Sequence, residues 1–262
     1  MKISKSDPIS LWTIDQISVY LHKAEEVTPE QVSLLQKDQR KGVQKLLSAY
    51  LQQKEKAQQG EKHLYNLKLK EEFLHKNGYT LIAGVDEAGR GPLAGPVVAA
   101  AVILDPQKKH IWQGINDSKQ LTSQIRDRLF DTILKNAEAY GIGIVTAAII
   151  DEINIYQASL EAMRLAVEDL MPKPEFVLSD GFPVPGLGVP QEAVKHGDAL
   201  CLSIAAASII AKVYRDRIML TYDQVYPAYG FAKHKGYPTW EHREAIKKSG
   251  LSPIHRRSFK CQ

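Results

Sequence analysis

Gly84-Val85-Asp86-Glu87-Ala88-Gly89-Arg90-Gly91-Pro92 closes the apolar run Leu81-Ile82-Ala83-Gly84-Val85 with two adjacent carboxylates and a glycine-rich turn bearing one arginine. The run reads as a buried strand, and an unpaired carboxylate at the end of such a strand is strongly disfavoured. Asp86 and Glu87 therefore need a cation, and the stretch reads as a metal and phosphate site. Consecutive strand residues point to opposite faces, so both acids reach one ion only if the strand ends or bulges there; Ala88-Gly89 supply that freedom.

Two other readings of this stretch fail. Gly84 to Gly89 imitates a P-loop, but Arg90-Gly91 stand where Lys and Ser or Thr are required, and two acids would sit among the phosphates. Gly89-Arg90-Gly91-Pro92-Leu93-Ala94 fits the loose dinucleotide fingerprint, yet Pro96 to Leu104 reads as a second strand where that fingerprint needs a helix.

Beyond Tyr79 the chain alternates strands, expected at 80–86, 96–104, 141–149 and 175–180, with helices at 122–139, 155–170, 199–222 and 239–249. A short turn joins the first two strands as a meander, and the later ones imply a parallel segment. The fold class is α/β, a mixed sheet flanked by helices. Residues 1–75 form a helical N-terminal extension: Thr13-Ile14-Asp15-Gln16 and Thr28-Pro29-Glu30-Gln31 fit the capping box, and Val43, Leu46, Leu47, Tyr50 and Leu51 make one apolar stripe. The polar stretch from Gln52 to Lys62, with Gly60, is a candidate break before helix resumes at Leu64 to Leu74.

The chain has 262 residues, 44% hydrophobic and 24% charged, ordinary for a soluble globular protein with one substantial domain and an appendage. Cys201 and Cys261 lack metal-type spacing, which favours a reducing compartment over a disulfide framework. The N-terminus has no apolar segment of the secretory kind, and the run Val97 to Leu104 is far short of the about 20 residues that span a bilayer, so a cytoplasmic protein is expected. Charge is unevenly spread. Residues 1–78 carry 13 Lys and Arg against 10 Asp and Glu, residues 79–227 carry 13 against 18, and residues 228–262 carry 8 against 2. An acidic centre between basic arms suits a metal-binding core that grips a polyanion, although such arms are also common as solvated helix faces.

Two further acids have a fitting setting. Asp180 ends the strand Phe176-Val177-Leu178-Ser179, and Asp198 follows Lys195-His196-Gly197 ahead of a long helix. Alone, Asp180 reads equally as a turn-forming Asp-Gly and Asp198 as a helix N-cap; both alternatives stay open. Carboxylates suit hard cations, Mg²⁺ or Mn²⁺, which two-metal sites use to cleave phosphodiesters. The scattered His196, His234, His242 and His255 read as surface or phosphate-facing residues rather than metal ligands. The alanines of Ala205-Ala206-Ala207-Ser208 read as small residues that let a helix pack closely on the sheet, and Tyr222, Tyr226 and Phe231 as C-terminal core.

Gly84 to Ala100, Asp117-Ser118-Lys119 with Leu121, Asp180-Gly181, Gly197-Asp198, Ile204 to Val213 with Arg215-Asp216, and Tyr229-Gly230-Phe231 with Lys235-Gly236-Tyr237 resemble bacterial ribonuclease HII, in order, from about Leu81 to the C-terminus. The resemblance implies a ribonuclease H-like fold and a Mn²⁺- or Mg²⁺-dependent endonuclease. Its substrates would be the RNA strand of RNA–DNA hybrids and ribonucleotides embedded in duplex DNA, cut to leave a 5′-phosphate during ribonucleotide removal. It makes Asp86, Glu87, Asp180 and Asp198 the catalytic, metal-binding acids. It gives Gly89, Arg90, Gly91 and Tyr237 the task of finding the RNA-to-DNA junction, where bare glycine backbone approaches a 2′-hydroxyl and a ring stacks. Lys119, Lys212 and Lys235 become candidate phosphate contacts.

The implied organisation is an extension at 1–75, a catalytic core at 76–226 and a C-terminal helical segment at 227–262 that completes the substrate site. A monomer is expected, with no protein partner named. Ribonuclease HIII is the nearest alternative, but its β-containing N-terminal platform fits the helical extension poorly. A non-catalytic nucleic-acid binder would face uncompensated carboxylates toward phosphate, and a strand-transfer enzyme of the same fold has no use for the junction-reading turn and Tyr237.

Overall fold

The computed structural model describes residues 9–23, 27–116, 118, 119 and 121–260; Asp117 and Cys261 lie outside them. The chain divides into two compact units, 1–62 and 63–262. In the first, α1 (Ile14–Lys23) and α2 (Pro29–Gln36) begin at the two capping boxes. Thr13 and Gln16 exchange hydrogen bonds at 2.8 and 3.2 Å, and Thr28 and Gln31 at 2.9 and 3.3 Å. The apolar stripe of α3 (Lys41–Lys76) packs with Trp12, Ile17, Leu21, Val27 and Leu35, so the unit has its own small core. No break interrupts α3 between Gln52 and Lys62. That stretch is mostly Gln, Lys, Glu and Ala, all good helix formers, and one glycine costs only about 1 kcal/mol.

The second unit is built on a five-stranded sheet, β1 (Ile82–Ala88), β2 (Val97–Ile103), β3 (Ala139–Val145), β4 (Phe176–Asp180) and β5 (Gln191–Val194), in the order β3-β2-β1-β4-β5. β1 and β2 pair antiparallel, as do β2 and β3, while β1, β4 and β5 run parallel. The expected mixed sheet is present, with α4 (Ser123–Asn136) and α6 (Leu202–Val225) covering one face and α5 (Ala147–Glu168) the other. β2 is apolar and buried throughout: Val97, Ala99, Ala101 and Ile103 face α5, and Ala100 and Val102 face α6. Its alanines, with Ala205, Ala206 and Ala207 of α6, keep helix and sheet close. At Gly84 an added Cβ would fall 2.1 Å from the Ser203 carbonyl carbon, so α6 lies directly on the backbone of β1 there.

Two boundaries differ from expectation by more than three residues. The strand expected to reach Ile149 stops at Val145, because Thr146 caps α5 by accepting the Ile149 N–H. That helix leaves helical backbone at Asn154 (φ 67°), whose Oδ1 accepts the N–H groups of Tyr156 and Gln157 at 3.0 and 3.1 Å and starts it again. Hence its pattern reads from Ile155. β5 was not expected, being four residues of mixed polarity at a sheet edge. Two short helices, α7 (Phe231–His234) and α8 (Trp240–Ser249), follow α6 in the same unit. Among the described residues no helix is long and apolar enough to cross a membrane.

Candidate active site

β1 and β4 lie side by side and parallel, so their C-terminal ends share one edge of the sheet. Asp86 and Glu87 stand at that end of β1, and Asp180 is the last residue of β4. The ladder stays in register through Asp86↔Ala100, Glu87↔Ala99 and Ala88↔Val98, so the strand neither ends nor bulges at the acids, contrary to expectation. Asp86 points to the α6 face and Glu87 to the face shared with Ala83 and Val85. They meet because β4 pairs with β1 only as far as Val85↔Ser179, which leaves a notch beyond that both faces reach.

A cleft of about 240 Å³ fills this notch, lined by Asp86, Glu87, Gly89, Arg90, Gly91 and Asp180, with Ser118, Lys119, Ser208, Lys212 and Tyr237 on its other walls. Asp86 is buried; its Oδ1 accepts the Glu87 N–H at 2.7 Å, and Ser208 hydrogen-bonds the same carboxylate while sharing a 2.9 Å bond with Ser118 Oγ. Burial, then the charges of Glu87 and Asp180, holds the Asp86 carboxyl well above the usual range. Burial likewise raises Glu87, against the pull of Arg90, whose Nη1 lies 3.3 Å from Glu87 Oε1. Asp180 is raised by burial despite the 2.7 Å bond that Gly197 N–H donates to its Oδ1.

Asp198 sits in a single turn of 3₁₀ helix and is buried, with Oδ2 3.3 Å from the exposed Lys119 ammonium. It does not cap α6, which starts at Leu202. Lys212 pairs with Asp216 at 2.8 Å and lies 5.6 Å from the centre of the Tyr237 ring. Tyr237 is 39% exposed, and a Cβ added to Gly91 would lie 3.9 Å from its ring edge, so bare backbone and ring face each other. Lys235 stands apart: its ammonium bonds the Ala232 carbonyl, and its side chain borders a separate cleft with Asp127, Asp216 and Arg217.

The donor set suits hard divalent cations. All the acids offer oxygen, and Glu87 Oε2 is a buried carboxylate oxygen with no hydrogen-bond partner among the described residues. The acids are not drawn into a finished cage, since among the described residues no three His, Cys, Asp or Glu side chains have that arrangement.

The sequence reading missed the residues behind the glycine turn. Arg215 and Arg256 are fully buried, and each directs three N–H groups at backbone carbonyls between Gly89 and Pro96 or at Lys235. Burial pushes Arg256 down to about 9, which leaves it charged near neutral pH. His234, His242 and His255 are corrected as well. They are buried and clustered around Phe231, not exposed to solvent or phosphate, because each finds backbone or ring partners inside the C-terminal segment. Tyr222 and Tyr226 pack there as expected. Cys201 is buried, its thiol pushed up to about 12, and is chemically inert.

Comparison with known proteins agrees with this geometry. The ribonuclease HII family matches residues 83–262, and the ribonuclease HII N-terminal domain matches residues 13–74. A ribonuclease HII of Bacillus cereus is 48% identical over 94% of this chain and 95% of its own length. Among solved structures, ribonuclease H2 from Pyrococcus horikoshii superposes with a TM-score of 0.60 at 32% identity, over 70% of this chain and 95% of its own. A ribonuclease HIII in complex with Mn²⁺ shares the fold at 19% identity, with a TM-score of 0.54 over 71% of this chain and 69% of its own. With an N-terminal domain of the HII type and a strand-end acid cluster, the chain belongs to the ribonuclease HII family.

Proposed function

We propose that Asp86, Glu87, Asp180 and Asp198 hold divalent cations, Mg²⁺ or Mn²⁺, and that Gly89, Arg90, Gly91 and Tyr237 meet the ribonucleotide beside the scissile bond. As a member of its family the chain is a metal-dependent endonuclease that cleaves RNA in RNA–DNA hybrids and at ribonucleotides embedded in DNA. One observation carries the residue assignment. Asp86, Glu87 and Asp180 converge at the ends of two adjacent parallel strands, each held above the usual carboxylate range, and one has an oxygen that nothing among the described residues satisfies.

When bound, hard cations supply the positive charge that makes water a stronger acid and offsets the negative charge growing on the phosphodiester. The chain's own groups do the rest. Ser208 and the Glu87 N–H keep Asp86 from swinging away, and Gly197 N–H fixes Asp180. Lys119 and Lys212 line the same cleft and balance phosphate charge. Gly91 and the Tyr237 ring line one side of the cleft together, where they can meet a ribose whose 2′-hydroxyl distinguishes it from its DNA neighbours. Attack by water in line with the 3′-oxygen breaks the P–O3′ bond and leaves a 5′-phosphate and a 3′-hydroxyl, the ends that ribonucleotide removal from DNA requires.

The test is a DNA duplex holding one ribonucleotide, incubated with Mg²⁺ or Mn²⁺ and mapped for its cut. A single cut at the ribonucleotide with a 5′-phosphate end is expected. A 2′,3′-cyclic phosphate would mean that the 2′-hydroxyl, not water, is the nucleophile.

A further inference from the structure

The turn at Gly89 to Gly91 and Tyr237 are both held from behind by residues close to the C-terminus. The segment 254–256 pairs with 93–95: Gly95 N–H donates to Ile254 O and Arg256 N–H to Leu93 O, both at 2.8 Å. From there the Arg256 guanidinium donates from Nη2 to Gly89 O at 2.6 Å, from Nη1 to Arg90 O at 2.9 Å and from Nε to Gly95 O at 3.0 Å. In a trans peptide the C=O and N–H of one unit point in opposite directions. Drawing the carbonyls of Gly89 and Arg90 inward therefore turns the N–H groups of Arg90 and Gly91 outward. Both residues are exposed, and neither N–H is hydrogen-bonded among the described residues.

His255 completes a second hold. Ser252 N–H donates to His255 Nδ1 at 2.9 Å, and an amide N–H cannot accept, so the His255 proton is on Nε2. The Tyr237 carbonyl can only accept, so His242 donates to it from Nδ1 at 2.9 Å and offers a bare Nε2 to His255 Nε2–H at 3.0 Å. One arrangement of protons satisfies the whole chain from Ser252 through His255 and His242 to Tyr237, with both rings neutral. The same carbonyl also accepts the Thr239 N–H at 2.8 Å, so the backbone from which the Tyr237 ring projects is tied twice.

We infer that Arg256, and His255 acting through His242, are positioning residues for ribonucleotide recognition. Arg256 aims two adjacent amide N–H groups at an oxygen of the ribonucleotide, and the histidine pair sets the Tyr237 ring opposite them. This rests on the reading that the turn and Tyr237 meet the ribonucleotide, and the experiment separates the two.

His242→Asn places an amide nitrogen near the Nδ1 position and keeps the bond to the Tyr237 carbonyl. His242→Gln reaches toward His255 and loses that bond. A merely structural histidine would make the two variants alike. The readout is the ratio of kcat/KM on a duplex with one ribonucleotide to that on a hybrid whose cut strand is all RNA, measured on one preparation so that the folded fraction cancels. His242→Gln should lower the ratio about tenfold through KM, the scale of one lost hydrogen bond, with His242→Asn near parental. Arg256→Lys, which keeps the charge but not the three-way fork, should lower it likewise; if it gives no folded protein, the His242 pair decides. Equal ratios for the Asn and Gln variants overturn the inference. Tyr237→Ala runs alongside. An unchanged ratio there removes the recognition reading and the inference with it, whereas a lowered ratio with parental values for His242→Gln and Arg256→Lys removes only the positioning role.

Discussion

Glu71, in the second half of α3, caps α6 from outside it: Glu71 Oε1 accepts the Ser203 N–H at 2.9 Å and the Ser203 hydroxyl at 2.7 Å. Cys201, at the cap position, makes no side-chain capping bond, and Asp198 lies too early in the chain to serve. The carboxylate that satisfies the first turn thus comes from a residue 132 positions away. The same helix carries Ser208 and Lys212 into the cleft that Asp86, Glu87 and Asp180 line.

Glu71→Ala should destabilise the fold by about 1–2 kcal/mol, the usual cost of a lost cap. Glu71→Gln should not, because the amide oxygen still accepts both bonds. Burial raises the Glu71 pKa, so its contribution is fully present below the unfolded value and is lost as pH rises through the folded one. The Gln variant should therefore match or exceed the parent in urea melts at pH 7. A loss equal to that of the Ala variant would show that the charge, not the acceptor, is what α6 needs.

If the acid cluster holds metal, it does so at the expense of stability, and one substitution tests both. Asp180→Asn should abolish cleavage, since an amide is a far weaker ligand for a hard cation, while raising the melting temperature in chelator by relieving repulsion with Asp86 and Glu87. Added Mn²⁺ should raise the parental melting temperature more than the variant's, because only a ligand that binds the folded state stabilises it. Near-parental turnover by the variant would remove Asp180 from the site.

How much of this was legible in the chain follows from where each residue finds its partner. Asp86, Glu87 and Asp180 announce themselves because acids end apolar runs, a local contradiction that asks for a cation or a raised pKa. The strands were legible for the same reason, apart from β5, which is short and polar. Arg215, Arg256 and the buried histidines leave no such mark. Their partners are carbonyls and rings from distant segments, and a backbone carbonyl has no letter in the sequence. The glycine turn stands out in the sequence, yet nothing near it foretells that Arg256, some 165 residues on, holds its carbonyls. Asp198 was read as a possible cap because Glu71 could not be seen to occupy that role.

The neutral His242–His255 pair predicts an acid sensitivity. Burial, then proximity to His242, brings His255 down to about 4, and His242 is lowered by burial too. A histidine whose folded pKa is depressed contributes stability that is present above its unfolded value near 6.5 and is lost as pH falls toward 4. His255→Asn keeps an acceptor for the Ser252 N–H and cannot titrate. Melting temperature should fall less steeply between pH 6.5 and 4 in this variant than in the parent. Parallel curves would assign the whole acid loss to other groups.

The N-terminal unit, with its capped helices, carries 10 Lys and Arg against 8 Asp and Glu over residues 1–62, and we propose that it adds grip on the nucleic-acid backbone. The boundary for testing this is 62, not 75. Leu64, Leu67, Glu71 and Leu74 pack within the second unit, and a cut at 75 removes all four. Deleting residues 1–62 should leave a folded enzyme with an unchanged cut position, weaker substrate binding and a shallower salt dependence. Each lost phosphate contact lowers the slope of log K against log salt by about 0.9 on a duplex. Deleting residues 1–75 should instead give poorly soluble protein, since burial of three leucines and the α6 cap go together. Equal affinity and equal slope for the 62-residue deletion and the full chain would sink the grip role and leave protein–protein contact as the use of the first unit.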